Sequence, residues 1–335
     1  MLNDNRPLVS IVIKTLNEEQ HVASAIESAL AALGEVGGEV ILADTLSSDR
    51  TIDVAGRYPI KIVQLNEVRD RSCGAGAQLG FQHCSGRYVC LIDGDMELRR
   101  GFLPAAIRCL EDDAKLAAVG GLIVEAEGGD HTVSQRAIRE EPDRRLGRVA
   151  RLDCGGLYRR AAIESGGYFT DRNLHGGEAG ELGARLRALG WTLERIGVPA
   201  VDRCAHSGDA YRLLMLRIAS RIVYGSGETV RAALGRPHLP LIFDKNGTVR
   251  LCLLVYAWWL SILSCLFLIK SWPLALLAMA ALFALPIAVR VLRRRSFAAG
   301  FYSVMAWNAD AIGFLPGLLR PRLPPDGWID STVVK

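Results

Sequence analysis

Between Leu251 and Ile269 the chain carries no charged residue, and between Ser271 and Val289 it again carries none. These two nineteen-residue runs are separated by Lys270 alone and bounded by Arg250 and Arg290. One such run would suit a buried core helix. Two in tandem around a K-S-W-P turn predict a transmembrane hairpin, because about 20 apolar residues cross a hydrocarbon layer as a helix. Arg290, Arg293, Arg294 and Arg295 follow directly, and clustered basic residues favour the cytoplasmic side. The chain that enters the first run near Arg250 is then expected on that same side. A third apolar segment, 296–319, has Asp310 as its only charge. It reads as a third span, a re-entrant piece or a surface-lying helix.

Residues 1–245 have a different character, and the predicted division is a soluble unit 1–245 followed by a membrane region 246–335, with spans near 251–269 and 271–289. L-V-S-I-V-I-K (8–14), E-V-I-L-A-D (39–44), I-K-I-V-Q-L (60–65) and R-Y-V-C-L-I-D (87–93) are short apolar runs, as expected of strands covered on both faces. Helical patterns separate them at 18–33, 47–58 and 74–85. Strand alternating with helix predicts an α/β fold with a mostly parallel sheet between helices. Further on, 178–191 reads as a helix and 210–234 as a long amphipathic stretch with arginines interleaved. The 335 residues include 40 basic and 36 acidic ones, a net charge of +4, too weak a bias to imply a nucleic-acid partner. Eight cysteines are scattered without a C-x-x-C pair, which argues against a zinc ribbon and for reduced thiols in a cytosol-facing protein. The N-terminus runs straight into a strand, so no secretory signal is expected.

The polar residues gather at strand ends. Lys14–Glu18, Asp44–Asp49 and Asp93–Asp95 all fall at the carboxyl edge of predicted strands, where ligands bind on such sheets. A single acid there would be read as a cap for the next turn. Asp93 and Asp95 flank a glycine that permits close approach of a ligand. Hard divalent cations prefer carboxylate oxygens and often take only one or two protein ligands, the rest being water and phosphate. A strand-terminal Asp-x-Asp therefore suits a cation that neutralises a departing diphosphate.

At this point the sequence resembles the family 2 glycosyltransferases of GT-A fold, over roughly residues 7–240. V-S-I-V-I-K-T-L-N-E-E-Q-H-V is similar to their opening strand and helix start, and E-V-I-L-A-D-T-L-S-S-D-R-T to the segment that cradles the nucleoside. D-G-D falls where the family has its metal-binding D-x-D. C-G-G-L-Y-R-R (154–160) resembles the loop and strand on the acceptor side, and G-G-E-A-G-E-L-G-A-R-L-R-A-L-G-W the helix that carries the catalytic base. The resemblance implies that Thr15, Asn17 and Glu18 line the nucleotide pocket, that Asp44 contacts base or ribose, and that Asp93 contacts ribose or orders the metal site. Asp95 would be the main ligand of Mg²⁺ or Mn²⁺, with His206 as a second ligand. Arg71 is the candidate contact to nucleotide or sugar in the 69–78 stretch. Ser47 and Asp49 are read as supports of the loop and helix start, and His175 as a possible lining of the acceptor pocket. The chain departs from the family pattern at Thr45, where a second Asp is common, and at Leu46, where a Gly is common. It departs again at Ala179, which replaces the Asp most often assigned as base. Glu178 is the expected base, with Glu181 read as part of the helix face, paired with Arg185 at i,i+4.

The implied activity is inverting transfer of a sugar from a nucleotide-diphosphate sugar to a lipid-linked or saccharide acceptor. The expected setting is the cytoplasmic face of a bacterial inner membrane, in exopolysaccharide or cell-envelope glycan synthesis. Two other readings are a nucleotidyltransferase, which needs a glycine-rich basic loop where K-T-L-N-E-E-Q stands, and a membrane scaffold with a degenerate transferase domain, suggested by Ala179. A dinucleotide-binding reading of G-A-G-A-Q-L-G fails on its G-x-G-x-x-x-G spacing and on its place after a polar loop.

Overall fold

The computed structural model describes residues 7–125, 145–203, 209–245 and 247–335. The chain runs β1 (Val9–Thr15), α1 (Val22–Leu33), β2 (Gly38–Asp44), α2 (Thr51–Ala55), β3 (Lys61–Leu65), α3 (Cys73–Gln82), β4 (Tyr88–Asp93), β5 (Met96–Leu98), α4 (Phe102–Asp112) and β6 (Leu116–Glu125). It continues through β7 (Gly147–Val149), β8 (Gly156–Arg159), α5 (Arg160–Ser165), α6 (Glu178–Ala188) and β9 (Thr192–Arg203). Six α-helices follow among the described residues before the last strand, the first three being α7 (Ala210–Ala219), α8 (Gly225–Ala233) and α9 (Leu239–Lys245). The others are α10 (Gly247–Leu268), α11 (Trp272–Arg294) and α12 (Phe297–Leu319), with β10 (Ser331–Val333) completing the series.

The strands form one sheet in the order β10-β3-β2-β1-β4-β8-β6-β9-β5, with β7 on β9. The pairs β3–β2, β2–β1 and β1–β4 are parallel, while β8 is antiparallel to both β4 and β6. The apolar runs divide between two faces by the two-residue period of a strand. Val9, Ile11 and Ile13 of β1 pack with α1 and α4, and Val12 packs on the other side with α3 and α6. Ile11 and Ile13 are wholly buried, and burial of such a side chain contributes about 2 kcal/mol. The α/β sandwich expected from strand–helix alternation is what forms.

The stretch 210–234 is not one helix. It breaks after α7, where Arg221 takes a left-handed φ of 63°, turns through Ile222–Tyr224, and resumes as α8.

The helices α10 and α11 are the two described helices long and apolar enough to cross a membrane. Only 22% and 6% of their most apolar windows are buried, so they are not core helices covered by protein. Leu254, Leu260, Phe267, Leu268 and Leu277 stand exposed on them. α12 instead wedges between this hairpin and the sheet-bearing unit. Tyr256 and Trp259 of α10 donate to the Ala311 carbonyl (2.5 Å) and to Asn308 (2.8 Å). On its other side a Cβ on Gly313 or Gly317 would lie 2.3 and 2.2 Å from the carbonyl oxygens of Val223 and Tyr224. Only glycine allows that backbone approach.

The predicted membrane region also does not continue to residue 335. Residues 320–335 return to the sheet, where β10 pairs antiparallel with β3. Arg322 pairs with buried Asp171 (2.7 Å), and Gln82 bonds both backbone groups of wholly buried Ile329 (2.8 and 3.1 Å).

Candidate active site

Parallel strands β1 and β4 end side by side, Lys14 opposite Asp93 in register. Their tips open into a cleft of about 750 Å³ lined by, among others, Lys14, Thr15, Glu18, Arg71, Asp93 and Asp95. The Lys14 ammonium sits 3.1 Å from Asp93 and 3.4 Å from Glu178, and so joins the strand tip to the start of α6. Burial opposes that charge, but Asp93 foremost and Glu178 hold the Lys14 pKa well above the usual lysine value. Cys154 donates its thiol to Asp93 (3.2 Å). Burial keeps this thiol protonated, its pKa pushed well above the ordinary range.

Glu18 faces the same acids. Burial first, then Asp95, Asp93 and Asp49, raise its pKa to about 7. Gly94 between the aspartates leaves no room for a Cβ, which would lie 2.8 Å from the Thr15 methyl and 2.9 Å from the Glu18 side chain. The strand tip thus carries an excess of carboxylate with hard oxygen donors. No three potential ligands converge among the described residues. A divalent cation fits here as one held by one or two carboxylates and completed by phosphate and water. His206 lies outside the described residues.

The loops behind the tip explain several residues of the motif. Asn17, at φ 58°, donates its backbone N–H to Ser47 (2.8 Å) and accepts at Oδ1 from the Ser48 N–H (2.8 Å). Thr51 Oγ1 accepts from the Glu18 N–H, and Asp49 accepts from Thr51 and from the Glu19 N–H. Ser47 and Asp49 therefore support the loop. Asp44 is wholly buried and accepts from Thr15 (3.1 Å), from the Ser47 N–H (2.9 Å) and hydroxyl (2.5 Å), and from Gln64 (2.9 Å). Its carboxylate lies beneath Thr15, which lines the cleft. Leu46, where the family favours glycine, has φ 64°. Arg71 braces that strained turn by donating to the carbonyls of Thr45 (2.8 Å) and Leu46 (2.5 Å) while lining the cleft.

The two glutamates of α6 differ completely. Glu178 is partly exposed at the helix start beside Lys14. Glu181 is wholly buried and holds Arg185 (2.9 and 3.2 Å) and the Tyr168 hydroxyl (2.9 Å). Of the two, Glu178 is the one whose side chain is not wholly enclosed.

The sequence reading did not single out Lys14, Glu228 or Arg320. Lys14 is visible as the lone charge inside an apolar strand. Glu228 is wholly buried and accepts from the His175 backbone N–H (2.8 Å), and its other oxygen lies 2.9 Å from His175 Nδ1. Arg320, from the end of α12, reaches His175 (3.0 Å) and lines the cleft with it. Nothing in sequence order announces a contact across 145 positions.

Residues 10–166 match the family model described as glycosyl transferase family 2. The chain is 23% identical over 146 residues to a dolichol-phosphate mannosyltransferase of Pyrococcus furiosus, covering 42% of this chain and 41% of that protein. It is 31% identical over 118 residues to the low-salt glycan biosynthesis hexosyltransferase Agl6 of Haloferax volcanii, covering 34% and 28%. It is 28% identical over 152 residues to the succinoglycan biosynthesis protein ExoO of Rhizobium meliloti, covering 44% and 41%. The matches thus span less than half the length of each of these curated relatives. Among solved structures, the mannosyltransferase PcManGT from Pyrobaculum calidifontis in complex with GDP-Man and Mn²⁺ matches with a TM-score of 0.60. That match covers 93% of this chain and 88% of that one at 17% identity, a likeness of fold.

Proposed function

We propose, from a chain whose residues 10–166 form a family 2 glycosyltransferase domain on a GT-A fold, that it moves a sugar from a nucleotide-diphosphate sugar to an acceptor hydroxyl with inversion. The observation that carries this reading is Lys14, which lines the cleft and pairs both with Asp93 at the strand tip and with Glu178 at the start of α6 (3.1 and 3.4 Å). Thr15, Glu18, Arg71 and Asp93 serve the nucleotide sugar directly, and Asn17 and Asp44 fix the loops that present them. Asp95, with Glu18 and Asp93 beside it, would hold Mg²⁺ or Mn²⁺, which when bound supplies neutralising charge for the leaving diphosphate. His206 belongs to the same proposal as a second ligand.

Glu178 takes the proton of the acceptor hydroxyl as the acceptor oxygen bonds to the anomeric carbon. The bond from that carbon to the diphosphate breaks, and its electron pair leaves with the nucleoside diphosphate. Lys14 holds Glu178 in an ion pair (3.4 Å), and its ammonium adds positive charge in the cleft. The apolar hairpin supports a membrane-held, lipid-linked or saccharide acceptor, with the cleft on the cytoplasmic side of a bacterial inner membrane, in exopolysaccharide or envelope glycan assembly. The test is release of nucleoside diphosphate from a panel of nucleotide sugars by membranes that contain the full chain. Release with one donor, dependent on added lipid extract, is expected. No release from any donor overturns the reading.

A further inference from the structure

The cleft has two chemically different ends. One carries the acids of the strand tips. Ala219–Ile222, at the end of α7 and the turn after it, and Arg320, at the end of α12, line the cleft as well. α7 leads into that turn with Met215, Leu216 and Ile218 exposed. It is pinned to α12 by Arg217 and Asp310 (3.0 Å). α12 in turn packs on the hairpin, where Tyr256 and Trp259 of α10 bond to it.

Two guanidinium groups belong to this part of the cleft lining. Arg221 carries the left-handed φ of 63°, a conformation that is costly for a long side chain and marks functional positions when the surroundings enforce it. Here they do, since Gly313 and Gly317 of α12 press directly on the backbone of Val223 and Tyr224. No described carboxylate pairs with Arg221. Arg320 is oriented by the buried His175–Glu228 pair, with Glu228 Oε1 3.6 Å from its guanidinium. That carboxylate also accepts from the His175 backbone N–H (2.8 Å) and lies 2.9 Å from its Nδ1. Arg69 and Arg71 add positive charge at the neighbouring rim. Glu228, beside Arg320, is wholly buried, and Asp70 lines the adjoining pocket with Arg69, Arg71 and Arg320.

We infer that Arg221 and Arg320 form the seat for the phosphate of a membrane-held, polyprenyl-linked saccharide acceptor, so that the lipid phosphate enters along α7, a hydroxyl of the acceptor's sugar reaches Glu178, and the donor diphosphate occupies the acidic end. This rests on the transferase reading with a lipid-linked acceptor, and it deepens that reading by giving the acceptor phosphate an address. The arginine fork matches phosphate geometry, and the arrangement keeps the two phosphate-bearing substrates at opposite ends.

The full chain in phosphatidylcholine nanodiscs is titrated with a C55 polyprenyl monophosphate and, separately, with the corresponding polyprenol. Nucleoside diphosphate binding with Mn²⁺ is measured in parallel. Wild-type protein should prefer the phosphorylated lipid. Arg221→Gln and Arg320→Gln should each weaken its binding about tenfold, as expected for loss of a charged hydrogen bond. Polyprenol and nucleoside diphosphate binding should stay unchanged, and Arg320→Lys should retain part of the preference. Equal weakening toward polyprenol, or loss confined to nucleoside diphosphate, overturns the assignment. So does equal competition by inorganic phosphate or phosphatidic acid, which would make the seat a general anion site. Intact phosphate preference in a protein that transfers no sugar from any donor would uphold the seat while removing the transferase reading.

Discussion

Glu178 and Glu181 lie one helical turn apart, and their surroundings assign them opposite tasks. Glu178→Gln should lower turnover about 10²–10⁴-fold, the usual contribution of a general base, with donor KM unchanged. Glu181→Gln breaks a buried pair with Arg185, so the expected loss is stability of about 3–5 kcal/mol, read by thermal unfolding. Glu18 gives a pH dependence. Its pKa in the fold is about 7, above the ordinary carboxylate value, because it is buried beside Asp95 and Asp93. Between those two values the folded protein holds a proton that the unfolded chain has lost. This contribution to stability is complete below the unfolded pKa and is lost as pH rises through about 7. A bound cation favours the ionised form. The rise in melting temperature on adding Mn²⁺ should therefore grow between about pH 6 and about pH 8 and be flat in Glu18→Gln. A wild-type response that is flat across this range would remove Glu18 from the cation's surroundings.

At the scale of elements, the strands and the helix starts were legible because their signals are local. The two-residue alternation of β1 and the charge-free runs of α10 and α11 need no distant partner. D-G-D was legible for the same reason, as was the pairing of Glu181 with Arg185. The break at Arg221 was not, because it is imposed by α12 and not by residues 210–234. Leu46 shows the converse. A glycine position is occupied by leucine, yet the left-handed turn persists, held by two bonds from Arg71. Asp44 is a third case: its strand-end position was readable, but only the fold reveals that Gln64 and Ser47 enclose it. The contact of α12 with the turn after α7 depends on glycine. Gly317→Leu cannot be accommodated against the Tyr224 carbonyl 2.2 Å from a Cβ. The expected result is a lower melting temperature together with weaker acceptor use, since Arg221 and Arg320 are both positioned by this contact. An unchanged melting temperature would show that α12 is not packed as described.

Taken as a whole molecule, the chain joins an apolar helical hairpin to the sheet-bearing unit through α12 and through direct packing of α10 on α6, α8 and α9, and residues 320–335 return to the sheet. Residues 320–335 cross from the end of α12 to the far edge of the sheet, and on the way they place Arg320 in the cleft. That long-range closure is invisible to any reading by periodicity, which is why the membrane region was expected to run on to residue 335. The account depends throughout on the carboxylates at the tip of β4 serving a diphosphate leaving group. The most direct measurement is nucleoside diphosphate release by membranes carrying wild-type protein or Asp95→Ala, each with Mn²⁺ and with a chelator. Release should be abolished by the chelator in wild type and absent in Asp95→Ala under both conditions. Release by Asp95→Ala at the wild-type rate would contradict the account.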